Sequence, residues 1–141
     1  MGKTLLYRLL GVGGLTDDLR AALEREGIVL LDEGIGGALV FKNFRAPGRY
    51  HGWRWSWFSG TLVVTERRFA AYTSVQHFGR IIDVPLDDPK MRALEGSVAS
   101  PGRLVIRFDP AVFHDRWSGS VECRFKTPLA RSFLERLQLG R

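Results

Sequence analysis

Four cations, Lys42, Arg45, Arg49 and Arg54, cluster around the turn signal Ala46-Pro47-Gly48. Guanidinium forks match phosphate oxygens two at a time, so arginines gathered at one turn are suited to gripping an anionic group. Trp53, Trp55 and Trp57 follow, alternating with Arg54 and Ser56. Indoles interleaved with cations could stack on the bases of a single strand or enter a membrane interface. Burial alone also imposes a period of two on a strand, so at least two of these tryptophans are expected in the core. Trp117, between Asp115-Arg116 and Ser118-Gly119, reads as a loop residue and as the better candidate for an exposed aromatic contact.

The remaining reactive side chains point away from catalysis. His51, His77 and His114 match no metal-ligand spacing, so no metal site is expected. Ser59-Gly60 lacks the Gly-x-Ser-x-Gly frame of a nucleophile elbow. Gly34, Gly36 and Gly37 lack the third glycine of a dinucleotide fingerprint, where Leu39 stands, and Gly2-Lys3-Thr4 has no preceding phosphate loop. Asp17-Asp18 and Asp87-Asp88 read as capping or solvated turn acids, and Cys123 alternates with the apolar residues of its strand as a buried thiol would. The expectation is a protein without catalytic residues or cofactor.

A chain of 141 residues is the size of one domain, and 45% hydrophobic with 26% charged residues is a globular composition. With 21 Lys and Arg against 15 Asp and Glu, the net charge of +6 favours acidic partners: anionic lipid headgroups, nucleic acid or acidic protein patches. One cysteine allows no intrachain disulfide, which fits a reducing compartment. No apolar run approaches the ~20 residues that a spanning helix needs. Arg8 interrupts the leading apolar stretch and no small-residue cleavage site follows, so a secretion signal is not expected. The expected location is cytoplasmic, with peripheral membrane association as its refinement. Leu5, Leu6, Leu9 and Leu10 are expected to dock on the chain's own core.

The elements that must carry these residues are mostly strands. Thr16 before Asp17-Asp18, with Leu19, Ala22, Leu23 and then Gly27, predicts a short capped helix. Ile28 to Leu31 is a short β run closed by Asp32-Glu33-Gly34. From Gly36 onward, short β segments follow one another: Ala38 to Phe44, His51 to Phe58, a bend at Gly60, Thr61 to Thr65, Arg68 to Val75, and Arg80 to Leu86. Leu104, Ile106 and Phe108 alternate with Arg103, Val105 and Arg107, and Val121, Cys123 and Phe125 with Glu122, Arg124 and Lys126. Thr127-Pro128 then caps an amphipathic helix through Leu129, Ala130, Phe133, Leu134 and Leu137.

Residues Gly60-Thr61-Leu62-Val63-Val64-Thr65-Glu66-Arg67-Arg68-Phe69-Ala70-Ala71-Tyr72 resemble the glycine, apolar strand, Thr-x-x-Arg turn and aromatic return strand of the pleckstrin-homology superfold. The likeness is to its GRAM-like and bacterial PH members. Asp83-Val84-Pro85-Leu86-Asp87-Asp88 and Gly102 to Phe108 are similar to the segments that follow there. The resemblance covers residues 36–139; Pro89, the tryptophan-rich strand and the leading residues depart from it. It implies a seven-stranded, bent antiparallel barrel capped by one carboxy-terminal helix, over residues 36–141, with residues 1–35 as an extension bearing a short helix.

It also implies a binding module that grips an anionic membrane lipid or a protein partner through the basic loop of Lys42, Arg45, Arg49 and Arg54. The spacing of that loop departs from the family's basic motif, because Ala46-Pro47-Gly48 separates Arg45 from Arg49. Two other readings are carried beside it. One is a small barrel enclosing an apolar ligand in lipocalin-like manner, its tryptophans lining the cavity. The other is a barrel binding single-stranded nucleic acid.

Overall fold

The computed structural model describes residues 14–75 and 78–139. The leucine stripe Leu5, Leu6, Leu9 and Leu10, and His77, lie outside the described residues. Helix α1 (Asp17–Glu26) leads into strands β1 (Ile28–Ala46), β2 (Arg49–Thr65), β3 (Arg68–Thr73), β4 (Arg80–Pro85), β5 (Glu95–Ser100), β6 (Arg103–Phe108) and β7 (Ser118–Lys126), and helix α2 (Ala130–Leu139) follows. The strands form one antiparallel sheet in the order β4-β3-β2-β1-β7-β6-β5.

The sheet does not close into a barrel: β4 and β5 remain as its two edges. The connection between them explains why. Pro85 ends β4 and Pro89 opens a short 3-10 turn capped by Asp88, whose side chain accepts from the Lys90 N–H at 2.8 Å. Prolines lack the donor that would continue a ladder. Met91 and Leu94, both fully buried, fill the gap instead.

Strand β1 is far longer than its sequence pattern suggests. Asp32-Glu33-Gly34, expected as a turn, lies inside one strand that runs from Ile28 to Ala46, across the expected extension boundary at residue 35. Two irregularities, between Ile28 and Leu30 and between Glu33 and Ile35, let the strand bend without breaking, and Gly34 takes φ 72° at the second. The acids are held by long-range partners. Glu33 pairs with Arg20 and accepts from the Leu15 N–H at 2.8 Å, and Asp32 accepts from the Thr127 hydroxyl at 2.6 Å. β2 is likewise continuous through Gly60, where an added Cβ would lie 2.4 Å from the Tyr72 carbonyl oxygen of β3. Glycine there lets the two strands approach closely.

The concave face of the sheet encloses the main core, built from Leu39, Phe41, Phe44, Leu62, Phe69, Leu104, Ile106, Val121, Cys123 and Phe125. α2 plugs this core with Ala130, Phe133 and Leu137, and Phe133 meets Phe69 edge-on at 6.4 Å. The Thr127 hydroxyl accepts from the Leu129 N–H at 3.1 Å as expected of a cap, but the helix begins at Ala130, two residues after Pro128, where the sequence placed its first turn. α1 lies on the opposite face of the sheet. Leu23 packs there with Val63 and Ala70, beside Leu19, Ile28, Leu31 and Tyr72. α1 thus covers only the part of the outer face formed by the start of β1, the end of β2 and β3.

Candidate functional site

The part of the outer face that α1 leaves bare carries the tryptophans. Antiparallel partners share a face, and Leu39 and Phe41, which point into the core, pair with Ser56 and Arg54. Ala38, Val40 and Lys42 pair with Trp57, Trp55 and Trp53 on the other side. Trp53 is 64% exposed and Trp57 76% exposed, so the expectation that at least two of the three are core is overturned. Alternation fixed which residues share a face; which face is dry depended on the pairing with β1. Trp55, half-buried, sits between the other two, with ring centroids 6.4 Å from Trp53 and 5.2 Å from Trp57.

β7 flanks β1 on its far side and brings cations to the same face. Ala38 pairs with Arg124 and Val40 with Glu122. The Arg124 guanidinium lies over the Trp55 ring, 5.0 Å from its centroid. Beyond β7, Val105 pairs with Arg124, Arg107 with Glu122, and Arg103 with Lys126. Glu122 is buried and accepts from Arg124 Nε at 2.6 Å and Arg107 Nη2 at 2.9 Å. Burial pushes its carboxyl up, but the two guanidinium bonds outweigh that and hold it below the usual glutamate value. One carboxylate thus meets two arginines, which leaves the face positive.

Between the indoles and these cations runs a cleft of about 340 Å³, lined by Gly36, Ala38, Trp55, Trp57, Ala99, Arg103, Val105, Arg124 and Lys126 among others. Its origin is local: β1 presents small side chains at Gly36 and Ala38 between tryptophans on one neighbour and long cations on the other. Gly37 permits the close packing beneath, because a Cβ there would lie 2.2 Å from the Arg124 carbonyl oxygen and 2.5 Å from the Phe58 ring.

The four cations predicted at the β1–β2 turn do not converge. Lys42 is exposed opposite Trp53, on the tryptophan face. Arg45 lies over the Tyr50 ring at 4.8 Å, and Tyr50 is 56% exposed at the hairpin tip. Arg54 pairs with buried Phe41, on the opposite side of the ribbon, and its Nη1 lies 3.2 Å from His51 Nε2. His51 is pulled below its usual value by burial first, and then by Arg54 and Arg49. Arg49 and Arg54 therefore share the His51 neighbourhood, apart from Lys42. At this end of β1, Asn43 takes φ 50° and the β1–β7 register shifts between Lys42 and Arg45, while the β1–β2 pairing runs on to Ala46 and Arg49.

Trp117 is half-buried rather than exposed. It packs edge-on against Phe44 at 5.4 Å and Phe78 at 5.8 Å, and stacks on His114 at 3.9 Å. Ser59 is buried and its N–H donates to the Ser74 hydroxyl at 3.1 Å, a structural arrangement. Among the described residues no group of three or more His, Cys, Asp or Glu could hold a metal ion, and no helix is long and apolar enough to cross a membrane. Sequence reasoning missed Arg103, Arg124 and Lys126. Their alternation with Leu104, Cys123 and Phe125 placed them outward, but only the β6–β7 and β7–β1 registers bring them beside the tryptophans. Compared with known proteins, the chain matches no protein-family model and none of the curated proteins.

Proposed function

We propose that the chain is a non-enzymatic, PH-like binding module that lays the bare outer face of its β1–β2 hairpin on an anionic membrane surface. One observation carries this reading: Trp53 and Trp57 are mostly exposed on the same face as Lys42 and the β7 cations. Indoles favour the interfacial zone of a bilayer, where an apolar ring meets polar headgroups. Clustered cations add about 1 kcal/mol each near an acidic surface. Burying roughly 100 Å² of each ring at about 25 cal/mol/Å² would contribute about 2.5 kcal/mol per tryptophan. The lipocalin-like alternative draws no support from these tryptophans, which face away from the core. A base-stacking reading is disfavoured by the tilted, edge-on arrangement of Trp55 and Trp57, with an interplanar angle of 62°.

Sedimentation with vesicles tests it. The chain is expected to bind vesicles rich in anionic lipid, to bind neutral ones far less, and to release as salt rises. Trp53→Ala with Trp57→Ala should weaken binding at least tenfold, and Lys42→Gln with Arg45→Gln should remove mainly the preference for anionic vesicles. Equal and negligible binding to both vesicle types would eliminate the membrane and leave a protein partner for this face.

A further inference from the structure

Arg103 and Lys126 stand directly opposite each other across the β6–β7 ladder. Like charges at directly opposed positions repel, so this pair costs the fold stability unless an anion lies between them. Arg124, two residues before Lys126 on the same face, brings a third cation to the spot, and the Glu122 carboxylate that meets it is shared with Arg107. All three cations line the cleft whose other wall is Trp55 and Trp57. Trp55 adds a second mismatch: its indole Nε1 is buried and has no hydrogen-bond partner among the described residues. A buried donor without an acceptor is a recurrent mark of an unfilled polar requirement.

We infer that this cleft is a phosphomonoester site, which holds the terminal phosphate of a lipid headgroup while the neighbouring tryptophans enter the interface. The inference rests on the membrane reading above and adds the headgroup class. The Arg103 fork, the Lys126 ammonium and the Arg124 guanidinium, whose Nε already meets Glu122, suit the three oxygens and nearly double charge of a phosphomonoester better than the single charge of a phosphodiester. The apolar wall of Trp55, Trp57, Ala99 and Val105 takes the carbon skeleton beside it.

The test compares vesicles containing phosphatidic acid with vesicles containing phosphatidylglycerol at matched total charge, using the full chain. The chain is expected to bind the phosphatidic acid vesicles about tenfold more tightly. Arg103→Gln with Lys126→Gln should bring that binding down to the phosphatidylglycerol level. Relief of the opposed charges predicts that this double variant melts no lower than the parent, so lost preference cannot be lost fold. Trp53→Ala with Trp57→Ala should weaken binding to both vesicles equally. A parent chain that binds both vesicles equally overturns the phosphate site and leaves the membrane reading intact, as does a double variant that keeps the preference. Saturable binding of glycerol 3-phosphate in solution, abolished in the double variant and without any vesicle binding, overturns the membrane reading and leaves the phosphate site as one for a free ligand.

Discussion

Individual residues divide this molecule into inert and available chemistry. Cys123 is fully buried in the core, and burial, followed by the nearby Glu122 charge, pushes its thiol far above the usual range. A thiol reagent at neutral pH should therefore leave the native chain unlabelled and modify it fully once denaturant unfolds it; rapid native labelling would contradict the packing. That burial was legible from the alternation of Val121, Cys123 and Phe125. The tryptophans were not, because Trp53, Trp55 and Trp57 obey the same period of two as a buried row. The deciding fact is a partner: Lys42 opposes Trp53, whereas Phe41 opposes Arg54. No local pattern states which residue of another strand will stand across the ladder.

At the scale of elements, α1 is fastened to the sheet by an ion network as well as by Leu23. Arg68 on β3 donates to Glu26 at the end of α1, through Nε at 2.8 Å, and to Asp83 on β4, through Nη1 at 2.9 Å. The Arg68 bond, aided by the Thr65 hydroxyl and opposed by burial, holds the Glu26 carboxyl below its ordinary value. A depressed carboxylate stabilises the fold above its unfolded pKa and loses that contribution as acid protonates it. The melting temperature of the parent should thus fall more steeply between about pH 5 and pH 3 than that of Glu26→Gln. Arg68→Ala, which leaves Glu26 with only the Thr65 hydroxyl and Asp83 with only the longer Arg80 contact at 3.7 Å, should cost about 1–3 kcal/mol in denaturant unfolding. α2 answers to packing instead: Phe133→Ala opens a cavity beside Phe69 and should cost about 3–5 kcal/mol. Both helices announced themselves in sequence through their caps, Thr16 and Thr127, and through the terminal Gly27. The length of β1 did not, because Asp32-Glu33-Gly34 reads as a turn until Arg20 and Thr127 are brought to it from distant positions.

Among the described residues, the molecule is an open antiparallel sheet with one face packed and plugged by α2 and the other covered only in part by α1. α1 shields the apolar patch of Leu31, Val63 and Ala70, and the remaining surface of that face ends in exposed indoles and in cations that outnumber the one carboxylate, Glu122, that meets Arg107 and Arg124. Six of the seven strands and the capping helix could be read from the chain, with β1 and β2 each read as two pieces; β5 (Glu95–Ser100) was missed, because Glu-Gly-Ser-Val-Ala-Ser offers only Val98 as a strong strand former. The proposed binding surface could not be read, because it is assembled from β1, β2, β6 and β7, which only the sheet order brings together. Water-exposed tryptophans on this scale are explained most simply by a partner that buries them, and intrinsic tryptophan emission reports that burial directly. On titration with anionic vesicles, the emission of the full chain should shift to shorter wavelength and become quenchable by brominated lipid. Trp53→Phe with Trp57→Phe should abolish most of the shift, while Trp117→Phe should preserve it. Unchanged emission at saturating anionic lipid, or a shift that survives loss of Trp53 and Trp57, would contradict the account.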